Sequence, residues 1–211
     1  MNPSEIDQNK AQFLALSRQY ISRPGLEDLL ASLDKTDFFT APSSSAYHLN
    51  EPGGLCQHSL GVFHTALTVY HSIVHPAIER GTSPFTKAVS DESIAIVSLF
   101  HDLCKAGIYR DVEKWKKDDS GRWQSYRGYK VVDDFPFGHG EKSVLHVSHY
   151  LQLTSSEMLA IRWHMGMFDV GESGSPSRYA LYAALAKSPL VCVLQVADQL
   201  VANCLEKTNE V

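Results

Sequence analysis

Near the middle of the chain, Leu99-Phe100-His101-Asp102-Leu103-Cys104-Lys105 places an imidazole, a carboxylate and an ammonium in an otherwise apolar segment. Polar groups taken out of water cost several kcal/mol unless something compensates them. Any fold that carries this stretch must therefore bring partners to it. A hydrogen-bonded core pair is one solution, and it is the common one for an isolated His-Asp. A metal ion that binds both imidazole and carboxylate is the other. The surrounding pattern is helical. Ser90-Asp91 caps the segment, and Ile94, Val97, Ser98 and His101 share one face. His101 and Asp102 are successive, about 100° apart around a helix, so they reach one point only if it lies between their directions.

Similar apolar stripes recur along the chain. Asn2-Pro3-Ser4-Glu5 reads as a capped helix start, followed by Ile6, Phe13, Leu16 and Tyr20 at helical spacing. Leu26 to Leu33 predicts a second helix. Thr40 to Gly54, rich in Pro, Ser and Gly, predicts a loop. Leu55 to about His75 predicts a long helix that Pro76 ends or kinks. Helices are also expected over Glu141 to Leu151, from the Thr154-Glu157 capping box to Gly166, over Tyr179 to Ala186, and from Pro189 to about Leu205. Gly171 to Pro176 reads as a loop. The exception is Arg110 to Val132, which alternates polar and aromatic residues around Asp118-Asp119-Ser120-Gly121 and predicts a β-hairpin. The expectation is an all-α fold, a helical bundle with a small β-hairpin insertion. The 211 residues, 44% of them hydrophobic, suffice for one domain. Its core would run over about 54–205, with N-terminal helices in 1–40 and the insertion at about 110–132.

A net charge of -5 argues against a nucleic-acid-coating role. The hairpin interleaves Trp115, Lys116, Lys117, Trp123, Tyr126 and Arg127, a mixture that can stack bases. Asp111, Glu113, Asp118 and Asp119 dilute it, and an exposed hairpin or an oligomer contact explains it as well. The four cysteines form no CxxC pair and read as packed, reduced thiols. Met1 to Lys10 is polar, and no apolar run approaches the ~18 residues of a membrane span. A cytoplasmic protein with no membrane partner is expected.

Ten histidines raise the prior for a metal site. Six residues stand out as candidate ligands: His58, His101, Asp102, His139, His164 and Asp198. Each lies in or beside an apolar stripe or a Gly-flanked loop. Asp198 is set among Leu194, Val196, Ala197, Leu200 and Val201, where a buried carboxylate needs neutralising or coordinating. Taken alone it also fits an exposed helix position. Tyr47-His48, ahead of Gly53-Gly54, can line a cleft mouth. His71, His75, His146 and His149 read as surface histidines.

The ordered set resembles the HD superfamily of metal-dependent phosphohydrolases, in its dinuclear His…His-Asp…His…His…Asp branch. The resemblance rests on Gly54-Leu55-Cys56-Gln57-His58, Phe100-His101-Asp102-Leu103-Cys104-Lys105, Gly138-His139-Gly140, Trp163-His164-Met165 and Val196-Ala197-Asp198. It implies a helical fold with the site in mid-bundle. It also implies two divalent transition metal ions (Mn, Fe, Co, Ni or Zn), with His58, His101, Asp102 and Asp198 holding one. Asp102 would bridge to a second held by His139 and His164. Some relatives have a further histidine where this chain has Met165, which leaves the second ion open positions. The implied reaction is cleavage of a phosphoester, in a nucleotide or other small phosphorylated compound, by a metal-activated water. Asp102 and Lys105 are the expected catalytic residues. Lys105 and Lys142 are the expected phosphate binders, although Lys105 also fits a solvated lysine at a helix end. Two alternatives follow from the same superfamily and the hairpin: a mixed-valent di-iron oxygenase, and a nuclease acting on single-stranded nucleic acid. No stable nucleic-acid partner is expected, and a homo-oligomer stays open.

Overall fold

The computed structural model describes residues 1–170 and 175–207. It is mostly helical, with one two-stranded antiparallel sheet. The chain opens with α1 (Pro3–Tyr20), whose Asn2 and Glu5 form the expected capping box. α2 (Leu26–Leu33) follows and buries Leu26, Leu29, Leu30 and Leu33 on one side. A loop then leads into α3 (Gly54–Val69). α3 is the central helix and packs against α1, α5 (Asp91–Phe100) and α9 (Pro189–Leu200). α7 (Ser155–Arg162) packs against α5, α9 and α6 (His139–Ser148). The core between them is apolar, with Leu55, Val62, Phe63, Ile94, Val97, Phe100, Ile161, Val193 and Leu194 all buried.

Pro76 does not end the α3 helix. The chain passes through a π turn (Tyr70–Val74) into α4 (His75–Glu79), with Pro76 in its first turn. Proline is tolerated there because its missing N–H has little to bond to.

The hairpin is as expected. β1 (Tyr109–Lys117) pairs with β2 (Trp123–Val131) in a continuous register from Tyr109 opposite Val131 to Lys117 opposite Trp123. Its turn is held by the Asp118 carboxylate, which accepts from the amides of Ser120 and Arg122.

Three expected boundaries move. α6 begins at His139, two residues early. α7 stops at Arg162, so His164 and Met165 lie in the turn after it, and Gly166 (φ +56°) opens a short 3-10 segment (Gly166–Asp169). The loop expected over Gly171 to Pro176 falls largely outside the described residues, and Pro176 opens α8 (Pro176–Leu185). Cys56 and Cys104 are buried as expected, but Cys192 and Cys204 are exposed. Among the described residues no single helix is long and apolar enough to cross a membrane.

Candidate metal centre

Two helix ends build half of the site by the same device. A helix C-terminus leaves carbonyls without partners. After α5 the chain turns at Asp102 (φ -105°, ψ 18°), and after α7 it turns at Trp163 (φ -109°, ψ 17°). In each case an imidazole beside the turn, His101 just before one and His164 just after the other, folds back onto its own helix. His101 Nδ1 donates to the Ser98 carbonyl at 2.8 Å, and His164 Nδ1 donates to the Ile161 carbonyl at 2.7 Å. A carbonyl only accepts, so both Nδ1 atoms carry a proton, and in the neutral ring the lone pair is left on Nε2.

His58, on α3, has its Nδ1 occupied by a carboxylate instead. Its Nδ1 lies 3.2 and 3.1 Å from the two Glu206 oxygens. His139, the first residue of α6, turns its Nδ1 to the Cys104 sulfur at 3.1 Å. All four rings thus have Nδ1 occupied from behind.

Their Nε2 atoms converge on Asp102. Oδ1 of Asp102 lies 2.9 Å from His139 Nε2 and 3.4 Å from His164 Nε2. Oδ2 lies 3.4 Å from His101 Nε2 and 3.8 Å from His58 Nε2. One carboxylate oxygen therefore faces each pair of histidines. Asp198 Oδ1 stands 3.1 Å from His58 Nε2. None of the Asp102 approaches has hydrogen-bond geometry. Asp102 Oδ1 and the Nε2 atoms of His101, His139 and His164 are buried with no hydrogen-bond partner. Buried polar atoms are almost always partnered. Four orphans aimed at one point, with lone pairs exposed, are what a cation needs. The ligand atoms of His58, His101 and Asp198 fall within 4.8 Å of one another, as do those of His101, Asp102 and His164. The donor set of imidazole and carboxylate suits a divalent transition metal.

The acids around His58 and His164 favour their protonated forms, so an ion binding there would displace protons. Burial alone would lower the His58 imidazole, but Asp198 and Glu206 outweigh it and raise it to about 9. Burial would raise the carboxyl of Asp102, yet Lys105 and His101 hold it well below the usual carboxylate range. Asp198 is likewise depressed, by His58. The Cys104 thiol is pushed up to about 12, chiefly by burial, so it stays protonated behind His139.

Of the two lysines expected to bind phosphate, one reaches the site. α5 has ended before Lys105, but a 3-10 turn (Leu103–Lys105) keeps residues three apart on one side. Lys105 Nζ lies 2.7 Å from Asp102 Oδ2 and lines a cavity of about 510 Å³ that opens over Asp102 and Asp198. Lys142 points elsewhere. Its buried ammonium is neutralised by Asp133 at 2.5 Å, and it does not line that cavity. Tyr47, His48 and Met165 do line it. A cavity of about 540 Å³ at the starts of α5, α7 and α9 shares none of these ligand residues.

Sequence reasoning missed Glu206. It lies eight residues past Asp198, beyond the regular part of α9. A π turn (Val201–Leu205) closed by the Glu206 amide on the Val201 carbonyl at 3.0 Å swings it under His58. No periodic or motif signal marks it. No family model, no curated protein and no solved structure matches the chain.

Proposed function

We propose that the chain is a metal-dependent phosphohydrolase of the HD type, acting on a small phosphorylated compound. The observation that carries this reading is the set of buried, unpartnered Nε2 atoms around Asp102, whose two oxygens face separate histidine pairs. His58, His101, Asp198 and Asp102 Oδ2 would hold one ion; His139, His164 and Asp102 Oδ1 would hold a second. Such ions supply an activated water and neutralise charge on a phosphoryl group. The chain's own residues do the rest. Glu206, Ser98, Ile161 and Cys104 fix the imidazoles from behind, so little reorganisation is needed when a ligand binds. Burial would lower the Lys105 ammonium, but Asp102 holds it above its ordinary value, so it acts as a standing charge for a phosphoryl oxygen. The cavity's size falls in the range that encloses a small molecule.

The test is metal content and phosphoester turnover of protein purified natively and after loading with Mn²⁺. We expect close to two ions per chain and metal-dependent phosphate release. Asp102→Ala should abolish turnover and lose both ions, because it alone faces both histidine pairs. Failure to hydrolyse any member of a broad phosphoester panel would remove the hydrolase reading. Two tightly held irons with dioxygen uptake would replace it with an oxidative one.

A further inference from the structure

The cavity over Asp102 has a floor and a mouth of different chemistry. Its floor carries Asp102, Asp198 and Lys105. Its mouth carries two aromatic rings from separate parts of the chain. Tyr47 comes from the loop before α3 and is 72% exposed; Phe168 comes from the 3-10 segment after α7 and is 77% exposed. Large rings left this open at the lips of one cavity make poor packing but good stacking platforms. Beside them on α9 and its π turn stand two amides, Gln199 and Asn203. Asn203 Nδ2 donates to the Gln199 backbone carbonyl at 2.9 Å and to Gln199 Oε1 at 3.2 Å. That pairing uses the Asn203 NH₂ as donor and both Gln199 oxygens as acceptors, and among the described residues it leaves the Asn203 carbonyl and the Gln199 NH₂ free. One acceptor beside one donor complements the edge of a nucleobase, which presents the same pair in reverse.

Charge then limits the phosphate. Among the described lining residues, Lys105 is the one ammonium, and it is shared with Asp102. A phosphoryl group at the floor has Lys105 to meet. A second or third phosphate would sit among rings and amides with nothing to neutralise it.

Resting on the phosphohydrolase reading above, we infer that the substrate is a nucleoside monophosphate, with its base held between Tyr47 and Phe168 and its edge read by Gln199 and Asn203. Hydrolysis forms a P–O bond from water and breaks the P–O bond to the nucleoside. The water's proton goes to the departing oxygen, giving nucleoside and inorganic phosphate.

The experiment uses the full chain loaded with Mn²⁺ and compares AMP, ATP, glycerol 3-phosphate and a short oligonucleotide, by turnover and by calorimetric binding. The wild type should show kcat/KM for AMP at least about tenfold above that for glycerol 3-phosphate, and AMP should be preferred to ATP. Tyr47→Ala and Phe168→Ala should each lower the AMP to glycerol 3-phosphate ratio about tenfold and weaken AMP binding by a similar factor, with Tyr47→Trp restoring both. If glycerol 3-phosphate is turned over as well as AMP, or if the ratio is unmoved by both substitutions, the base subsite is wrong while the phosphohydrolase stands. Preference for ATP or the oligonucleotide overturns it equally. If nothing is turned over, calorimetry decides: AMP that does not bind, or binds the variants as well as the wild type, ends the inference.

Discussion

Among single residues, Glu206 and Glu157 show how differently a buried carboxylate can be used. Glu206 accepts from one candidate ligand imidazole, and among the described residues no lysine or arginine lies at hydrogen-bond distance from it. Its charge holds the Nδ1 side of His58 and so leaves Nε2 as the atom that faces the site. Carboxylates placed behind metal-bound imidazoles typically contribute 10–100-fold to metal affinity. If two ions bind as proposed, Glu206→Ala should weaken the one at His58 by roughly that factor and leave the one at His139 and His164 nearly unchanged. Glu206→Gln, still an acceptor, should fall between. Titrating metal into each variant by calorimetry separates the two steps. Glu157 serves stability instead. It is fully buried, paired with Arg23 at 2.6 and 2.7 Å, and accepts from the Ser93 hydroxyl and the Thr154 amide. Burial would raise its carboxyl, but Arg23, Ser93 and Thr154 hold it below the usual 4.5. A depressed acid contributes stability that is present above the unfolded-state value and lost as pH falls through the folded one. Glu157→Gln should cost roughly 3 kcal/mol at neutral pH, and its deficit against the wild type should shrink as pH drops below 4.5. Denaturant unfolding across pH 3 to 7 reads both.

Elements matter here chiefly through their ends. His101 and His164 follow the last turns of α5 and α7, His139 opens α6, and Asp198 is in the last turn of α9. The site is thus where helix termini meet, and the free carbonyls of two of them orient the ligands. Close approach of α6 to α7 brings His139 and His164 together, with ring centroids 4.9 Å apart. Gly140 permits it, because a Cβ there would collide with the Arg162 backbone carbonyl. Gly140→Ala should push α6 outward, costing roughly 1–3 kcal/mol. Because His139 precedes it directly, the ion on that side should be lost first, with the His58 side retained. Metal stoichiometry at limiting concentration, set beside the thermal midpoint, distinguishes this from simple unfolding. The two π turns illustrate the same economy. The one after α3 carries the helix past Pro76, and the one after α9 delivers Glu206.

At the scale of the whole molecule, the centre joins α3, α5, α6, α7 and α9 through side chains of which several have a buried atom with no hydrogen-bond partner. A ligand that binds only the folded state stabilises it by RT ln(1 + [L]/Kd), roughly 2.7 kcal/mol at a hundredfold excess over Kd. For a chain of this size that is a rise in Tm of roughly 5–10 °C. Scanning calorimetry with Mn²⁺ or Zn²⁺ and then with chelator should show the rise and its reversal, and Asp102→Ala should show neither. The helical pattern, the hairpin with its register-setting turn, the capping boxes and all six candidate ligands were legible in the sequence, because periodicity, capping and polar residues on apolar stripes are local signals. Lys142 was misread for the same reason: spacing placed it near His139, and nothing local announced that Asp133 would take its charge. Glu206, the Nδ1 acceptors and the pairing of Tyr47 with Phe168 at one mouth belong to no local pattern. The sequence by itself determined which elements form and which side chains are chemically able to hold a cation. Only the tertiary structure decided which nitrogen of each imidazole faces inward and which oxygen of Asp102 faces which pair, because those choices depend on partners supplied by helix ends and by segments up to 148 residues apart.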